Sequence, residues 1–210
     1  IRRQRQMCIR DSMEQGYGDG DDPVVLKSEF ILSLCEQLMG AGKLSAKAKS
    51  IIDRCTALCY HTYIQNGCEG TVPTLRDFHA ELLRQPETEA TDVALAIELF
   101  TKGSLNTFAK PTNVDTNSRI LCYDIRDLGR QLLPVGMLVV LDSIFNRIIR
   151  NRRLGRSTWV YIDEIYLLFQ HEYSANFLFT LWKRVRKYRA CCTGITQNVD
   201  DLLQSHTART

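Results

Sequence analysis

Two adjacent carboxylates, Asp163 and Glu164, close an apolar run in the stretch STWVYIDEIYLLFQ, Ser157–Gln170. Trp159, Val160, Tyr161 and Ile162 read as a strand buried on both faces. An unpaired buried charge costs several kcal/mol. The acidic pair therefore belongs at the strand's exposed end or beside a cation. Metal-assisted nucleotide hydrolysis needs such a pair. Asp163 would hold a hydrated Mg2+ through water, and Glu164 would polarise the attacking water. The same pattern also arises at strand ends with no catalytic role. A second polar tip follows in TGITQN, where Gln197 ends another strand-like run. A neutral amide there can hydrogen-bond a γ-phosphate or the attacking water; a plain loop glutamine is the other reading.

These tips need a parallel sheet to bring them to one edge, because ligands gather beyond the carboxyl ends of such strands. The second half of the chain supplies the grammar. Arg119–Ile125, RILCYDI, is a strand candidate, and Pro134 opens a helix striped by Met137, Leu138, Leu141, Ile144, Phe145, Ile148 and Ile149. The Asp-Glu strand comes next. A helix capped by Ser174 then carries Phe177, Leu178, Leu181, Trp182, Val185 and Tyr188, and Cys191–Thr196 forms a strand. Val199–Leu203 starts a further helix. This β-α-β-α-β order predicts an α/β fold with right-handed crossovers.

The first half reads differently. Asp22-Pro23 starts a helix with Phe30, Ile31, Leu34, Cys35 and Leu38 in register, stopped by Gly40. Ser45 caps a second, with Ile51, Ile52, Cys55, Leu58, Cys59 and Tyr63 on one face. Thr74 and Asp77 form a capping box before Phe78, Leu82 and Leu83, ended by Pro86. Thr91–Phe100 makes a fourth helix. Residues 23–102 are thus expected to be all-helical, 13–22 a Gly-rich acidic loop, and 103–210 the α/β part.

Ile1–Ser12 is set apart, because RQRQMCIRDS matches translated sequencing-adaptor sequence. The chain is accordingly expected to be an internal fragment. Without that segment's four Arg and one Asp, the 27 basic and 24 acidic residues become 23 of each. The formal charge of +3 vanishes, and net charge gives nucleic-acid binding no support. No apolar run approaches the roughly 18 to 20 residues that span a bilayer. The eight Cys form no C-x-x-C pair, and buried apolar thiols in a reducing compartment account for them.

No phosphate cradle of the form G-x-x-x-x-G-K-[ST] occurs. GAGKLS, Gly40–Ser45, is a decoy: Gln37 stands where the first Gly belongs, Leu44 replaces Ser/Thr, and a helix precedes it. Two basic clusters remain. Arg147–Arg156 closes a helix, where cations complement the macrodipole. Trp182–Arg189, WKRVRKYR, either forms a solvated face or presents an arginine to a neighbouring subunit's nucleotide.

TWVYIDEIYLLFQ together with SANFLFTLWKRVRKYRACCTGITQNVDDLL resembles the conjugative-transfer ATPases of type IV secretion systems, the TraE/TraC-like, VirB-four group. DPVVLKSEFILSLCEQL, SIIDRCTALCY, GSLNTFAKPTNVDTNSRILCYDI and LGRQLLPVGMLVVLDSIFNR agree, so the likeness runs from about Asp21 to the end. It implies a partial RecA-like parallel sheet of the HerA–FtsK type with flanking helices, plus an all-α inserted domain. It also implies ATP and Mg2+ as cofactors, with Asp163 and Glu164 as the Walker B pair and Gln197 as the post-strand glutamine. A trans-acting arginine would come from Arg184, Arg186 or Arg189. The implied partners are further copies of the same chain, a hexameric ring among the options, and other secretion subunits. The implied place is the cytoplasmic side of the bacterial inner membrane, held there through partners. With no P-loop, the fragment itself is expected to be inactive. A DNA-pumping coupling protein of the same superfamily and a non-hydrolysing scaffold subunit are the alternatives.

Overall fold

A computed structural model describes residues 23–40, 42–67, 71–110, 118–125, 127–129, 131–170 and 172–200. The adaptor-like segment 1–12, the loop at 13–22, the capping residue Asp22, Cys8, Cys68 and the helix beyond residue 200 lie outside the described residues. The chain divides into two compact units, Ile1–Gly136 and Met137–Thr210.

The first unit is built from helices α1 (Pro23–Met39), α2 (Ala46–Gln65), α3 (Leu75–Leu83) and α4 (Thr88–Thr101), followed by a 3-10 turn at Asn106–Ala109. Ser45 caps α2 by accepting from the Ala48 amide at 3.1 Å, satisfying a donor the helix leaves orphaned. At α3 the Thr74 amide donates to Asp77 Oδ2 at 2.7 Å, which holds the first turn of the helix. Gly40 at φ +99° and Gly42 at φ +74° turn the chain between α1 and α2, so GAGKLS is a helix-to-helix turn. The core takes Phe30, Ile31, Leu34 and Cys35 from α1, Ile51, Ile52 and Cys55 from α2, Phe78 and Leu82 from α3, and Val93 and Ile97 from α4. Burying each large apolar side chain contributes about 1.5–3 kcal/mol. Ser28 of α1 hydrogen-bonds Asp53 of α2. Leu58 and Leu83, expected inside, are exposed, while Cys55 and Leu82 of the same helices are buried. Arg119–Ile125 makes no strand and joins no ladder, and Ile120 is 85% exposed. None of its residues is buried, so the run offers no apolar face for a sheet to pack.

The second unit contains most of α5 (Leu133–Arg153), strand β1 (Thr158–Ile162), a 3-10 segment at Ile165–Gln170, α6 (Glu172–Arg184), a 3-10 turn at Val185–Tyr188, and β2 (Ala190–Gly194). Gly155, at φ +69°, ends α5: its amide bonds the Arg152 carbonyl at 3.0 Å and the Arg156 amide bonds that of Asn151 at 2.8 Å. That pair of bonds is a Schellman motif, which a residue with a Cβ closes less readily. Tyr188 is buried against α5, edge-on to Phe145 at 5.6 Å and under the Arg152 guanidinium at 5.3 Å. Leu178 and Leu181 of α6 are buried, as their spacing predicts. Ser174 is not the cap of α6: it lies inside the helix, buried, and its hydroxyl donates to the Leu168 carbonyl.

β1 and β2 pair in parallel, with Thr158 opposite Ala190 and Ile162 opposite Gly194. The sheet is not buried on both faces. Val160 is 8% exposed, but Trp159 and Tyr161 are 65% and 67% exposed. Alternation puts these two on the opposite face from Val160, and among the described residues of this unit that face has no covering layer.

Candidate active site

β1 and β2 run in the same direction, so their carboxyl ends share one edge. Asp163 follows the last residue of β1, and Gln197 lies three residues past the end of β2. The pairing also continues past both printed ends. The Ile195 amide donates to the Ile162 carbonyl at 2.8 Å, and the Ile195 carbonyl accepts from the Ile165 amide at 3.0 Å. A regular parallel ladder would take that second bond from residue 164. Asp163 and Glu164 therefore stand together opposite Ile195, an extra residue in one strand and hence a bulge.

The bulge has a backbone cost and a compensation. Glu164 sits at φ +49°, a left-handed conformation uncommon for residues with a Cβ. Its amide, displaced from the ladder, donates to Asp163 Oδ1 at 3.0 Å. Asp163 thus has a structural task, satisfying the N–H that the bulge freed. The turn also re-aims the second carboxylate. Gln197 Nε2 donates to Glu164 Oε1 at 2.6 Å, a short bond for an amide donor. Glu164 Oε2 is buried and has no hydrogen-bond partner among the described residues.

That orphaned oxygen is the site's most informative atom. A buried acceptor left unpaired costs about 1–3 kcal/mol, and a water molecule, a substrate proton or a cation's hydration shell would relieve it. The donor set fits a hydrated Mg2+ better than a protein-caged metal. Among the described residues no three His, Cys, Asp or Glu side chains converge to hold a metal, so Asp163 would supply one anchor, and water and phosphate the rest.

Of the residues singled out in the sequence, Asp163, Glu164 and Gln197 come together. Arg186 and Arg189 do not join them, and the Arg184 side chain lies outside the described ones. Arg186 lies in the 3-10 turn before β2 and Arg189 directly precedes the strand, at φ +52°, with its carbonyl accepting from Thr158. Both stand at the amino-terminal rim, a strand's length of roughly 16 Å from the acidic edge. Arg184 closes α6 on that same side of β2 in the chain. Sequence reasoning missed Ile165, Gly194 and Ile195, the residues that shape the bulge. Only backbone hydrogen bonds reveal them, although the glycine ending an apolar strand was a visible signal.

A family model described as the TraG P-loop domain matches residues 107–210. Over that span the chain is similar to the TraG P-loop domain family. The fold is that of VirB4 of Thermoanaerobacter pseudethanolicus, with a TM-score of 0.73 at 20% identity, covering 89% of this chain and 53% of that one. The chain therefore spans about half the length of the VirB4 it matches. No match was found among curated protein sequences. The matched segment contains the whole acidic edge, from Asp163 to Gln197, but no G-x-x-x-x-G-K-[ST]. No helix among the described residues is long and apolar enough to cross a membrane.

Proposed function

We propose that this chain is the Walker B half of an ATP-hydrolysing motor subunit of a type IV secretion system, active in conjugative transfer. The observation that carries the reading is the Gln197–Glu164 contact beside an unpaired buried carboxylate oxygen, on the carboxyl edge of a parallel sheet. Asp163 contributes charge to a Mg2+ shell through water while it holds the Glu164 amide. Glu164 orients the attacking water through Oε2 and takes up its proton. Gln197 fixes the Glu164 carboxylate and is within reach of a γ-phosphate or that same water. A Mg2+ held at Asp163 through water would supply charge neutralisation for the phosphates.

The phosphate cradle would come from another part of the complete polypeptide, so the segment alone is inactive. Arg186 and Arg189 stand on the far rim, so any nucleotide contact they make is with a neighbouring subunit's site, which requires an oligomer. Association with the cytoplasmic side of the membrane would run through other secretion subunits.

The test is ATP turnover by the full-length protein with and without Mg2+, beside Asp163→Asn. Asparagine keeps an oxygen for the Glu164 amide and removes the charge. The reading expects Mg2+-dependent turnover that Asp163→Asn lowers at least tenfold with the fold intact. Turnover that ignores both Mg2+ and the substitution contradicts it.

A further inference from the structure

We infer that Gly194 is a positioning residue for Glu164: its missing side chain is the seat in which Ile165 holds the bulge that aims the carboxylate. The inference rests on the hydrolytic reading of Glu164. Gly194 is the last residue of β2 and pairs with Ile162. It is not there for an unusual backbone, since its φ lies outside the positive region. It is there for space. A Cβ on Gly194 would lie 2.6 Å from Ile165 Cδ1, 3.3 Å from Cγ2 and 3.5 Å from Cβ. Ile165 is 6% exposed, so Cδ1 cannot swing into solvent, and its β-branched stem is stiff.

Ile165 is also the residue whose amide closes the bulge on the Ile195 carbonyl. Three neighbours in one short segment thus act on one carboxylate. Gly194 seats Ile165, Ile195 clamps the chain on both sides of the acidic pair, and Gln197 holds the Glu164 side chain. A side chain at 194 would push Ile165 outward and loosen the 165–195 bond. The strained Glu164 turn could then relax and move Oε2 off its position. A displacement of about 1 Å at a catalytic group costs on the order of a hundredfold in rate.

The experiment uses the full-length protein carrying Gly194→Ala and follows steady-state ATP turnover together with hydrogen exchange of the residue 165 amide. The expected result is a kcat at least tenfold lower, a KM for ATP within about twofold of the original, and faster exchange at 165. Adding Ile165→Val, which deletes Cδ1, should return kcat to within about threefold and slow the exchange again. A Gly194→Ala protein with unchanged turnover overturns the inference. So does a folded double variant that stays slow. If Gly194→Ala alone does not fold, the double variant carries the test by the same two readouts. Glu164→Gln, run alongside, separates the claims. Undiminished turnover there removes the hydrolytic reading, whereas an inactive Glu164→Gln beside an unaffected Gly194→Ala removes only the seat.

Discussion

Gln197 Nε2 donates to Glu164 Oε1 at 2.6 Å across 33 residues of chain, from the segment that follows one strand to the turn that ends its parallel neighbour. The bond fixes one oxygen of a carboxylate whose other oxygen is buried and unpaired. Replacing Gln197 with Ala should leave nucleotide affinity within about threefold and lower kcat by roughly one to two orders of magnitude, the scale of a lost orienting contact. Steady-state kinetics of the full-length protein check this, and the split between kcat and KM is the informative part.

Asp163 carries two tasks that substitution can separate. Its Oδ1 accepts the Glu164 amide, and its charge is available to a cation. Asp163→Ala removes both, so a loss of about 0.5–1 kcal/mol of stability is expected beyond any effect of Asp163→Asn, the net worth of an exposed hydrogen bond. Chemical denaturation of the two variants side by side measures the difference.

The location of this edge was readable in the residues, but its geometry was not. An apolar run ending in Asp-Glu and a second ending near Gln197 require only strand periodicity and a parallel connection to meet. The bulge depends on which amide bonds which carbonyl, and no side-chain pattern encodes that choice. Trp159 and Tyr161 misled in a related way. An unbroken apolar run suits a doubly covered strand, yet both stand on a face that the described part of the unit leaves open. Arg119–Ile125 had strand-like composition, yet it forms no strand and none of its residues is buried. Ser174 looked like a helix cap because serine favours that position, but its hydroxyl serves the Leu168 carbonyl instead. The helical half was the more legible, since its caps at Ser45 and Thr74 are local interactions.

His79 should make the helical unit acid-sensitive. It is buried on α3, with Nδ1 lacking a hydrogen-bond partner among the described residues. Burial, helped by Lys102, holds its pKa below the usual value, while Glu98 and a backbone bond to Ala94 pull the other way. The unfolded chain therefore binds the proton more readily than the folded one. The stability this ring contributes is complete above pH of about 6.5 and is lost as pH falls through the lower folded value. Thermal melts from pH 8 to pH 5 should show that decline, and His79→Phe should flatten it.

The thiols divide by burial. Burial pushes Cys35 and Cys59 up to about 12 and Cys55 up to about 11, leaving at most about one thiolate per thousand at pH 8. Cys122 and Cys191 are exposed. Iodoacetamide labelling of the folded protein, read by peptide mass, should modify these two first and reach Cys35, Cys55 and Cys59 only on unfolding.

Gly155→Ala should destabilise the second unit by about 1 kcal/mol, because its φ of +69° closes the Schellman motif at the end of α5. Denaturant melts of the full-length protein and the variant provide the comparison.

The most direct measurement is single-turnover phosphate release from Mg2+-ATP by the full-length protein and its Glu164→Gln variant, with nucleotide binding measured on the same samples. A water-activating Glu164 predicts that the variant binds ATP as tightly as the original and releases phosphate at least a hundredfold more slowly. Equal release rates in the two proteins would contradict the role given to this carboxylate and, with it, the hydrolytic reading of the whole edge.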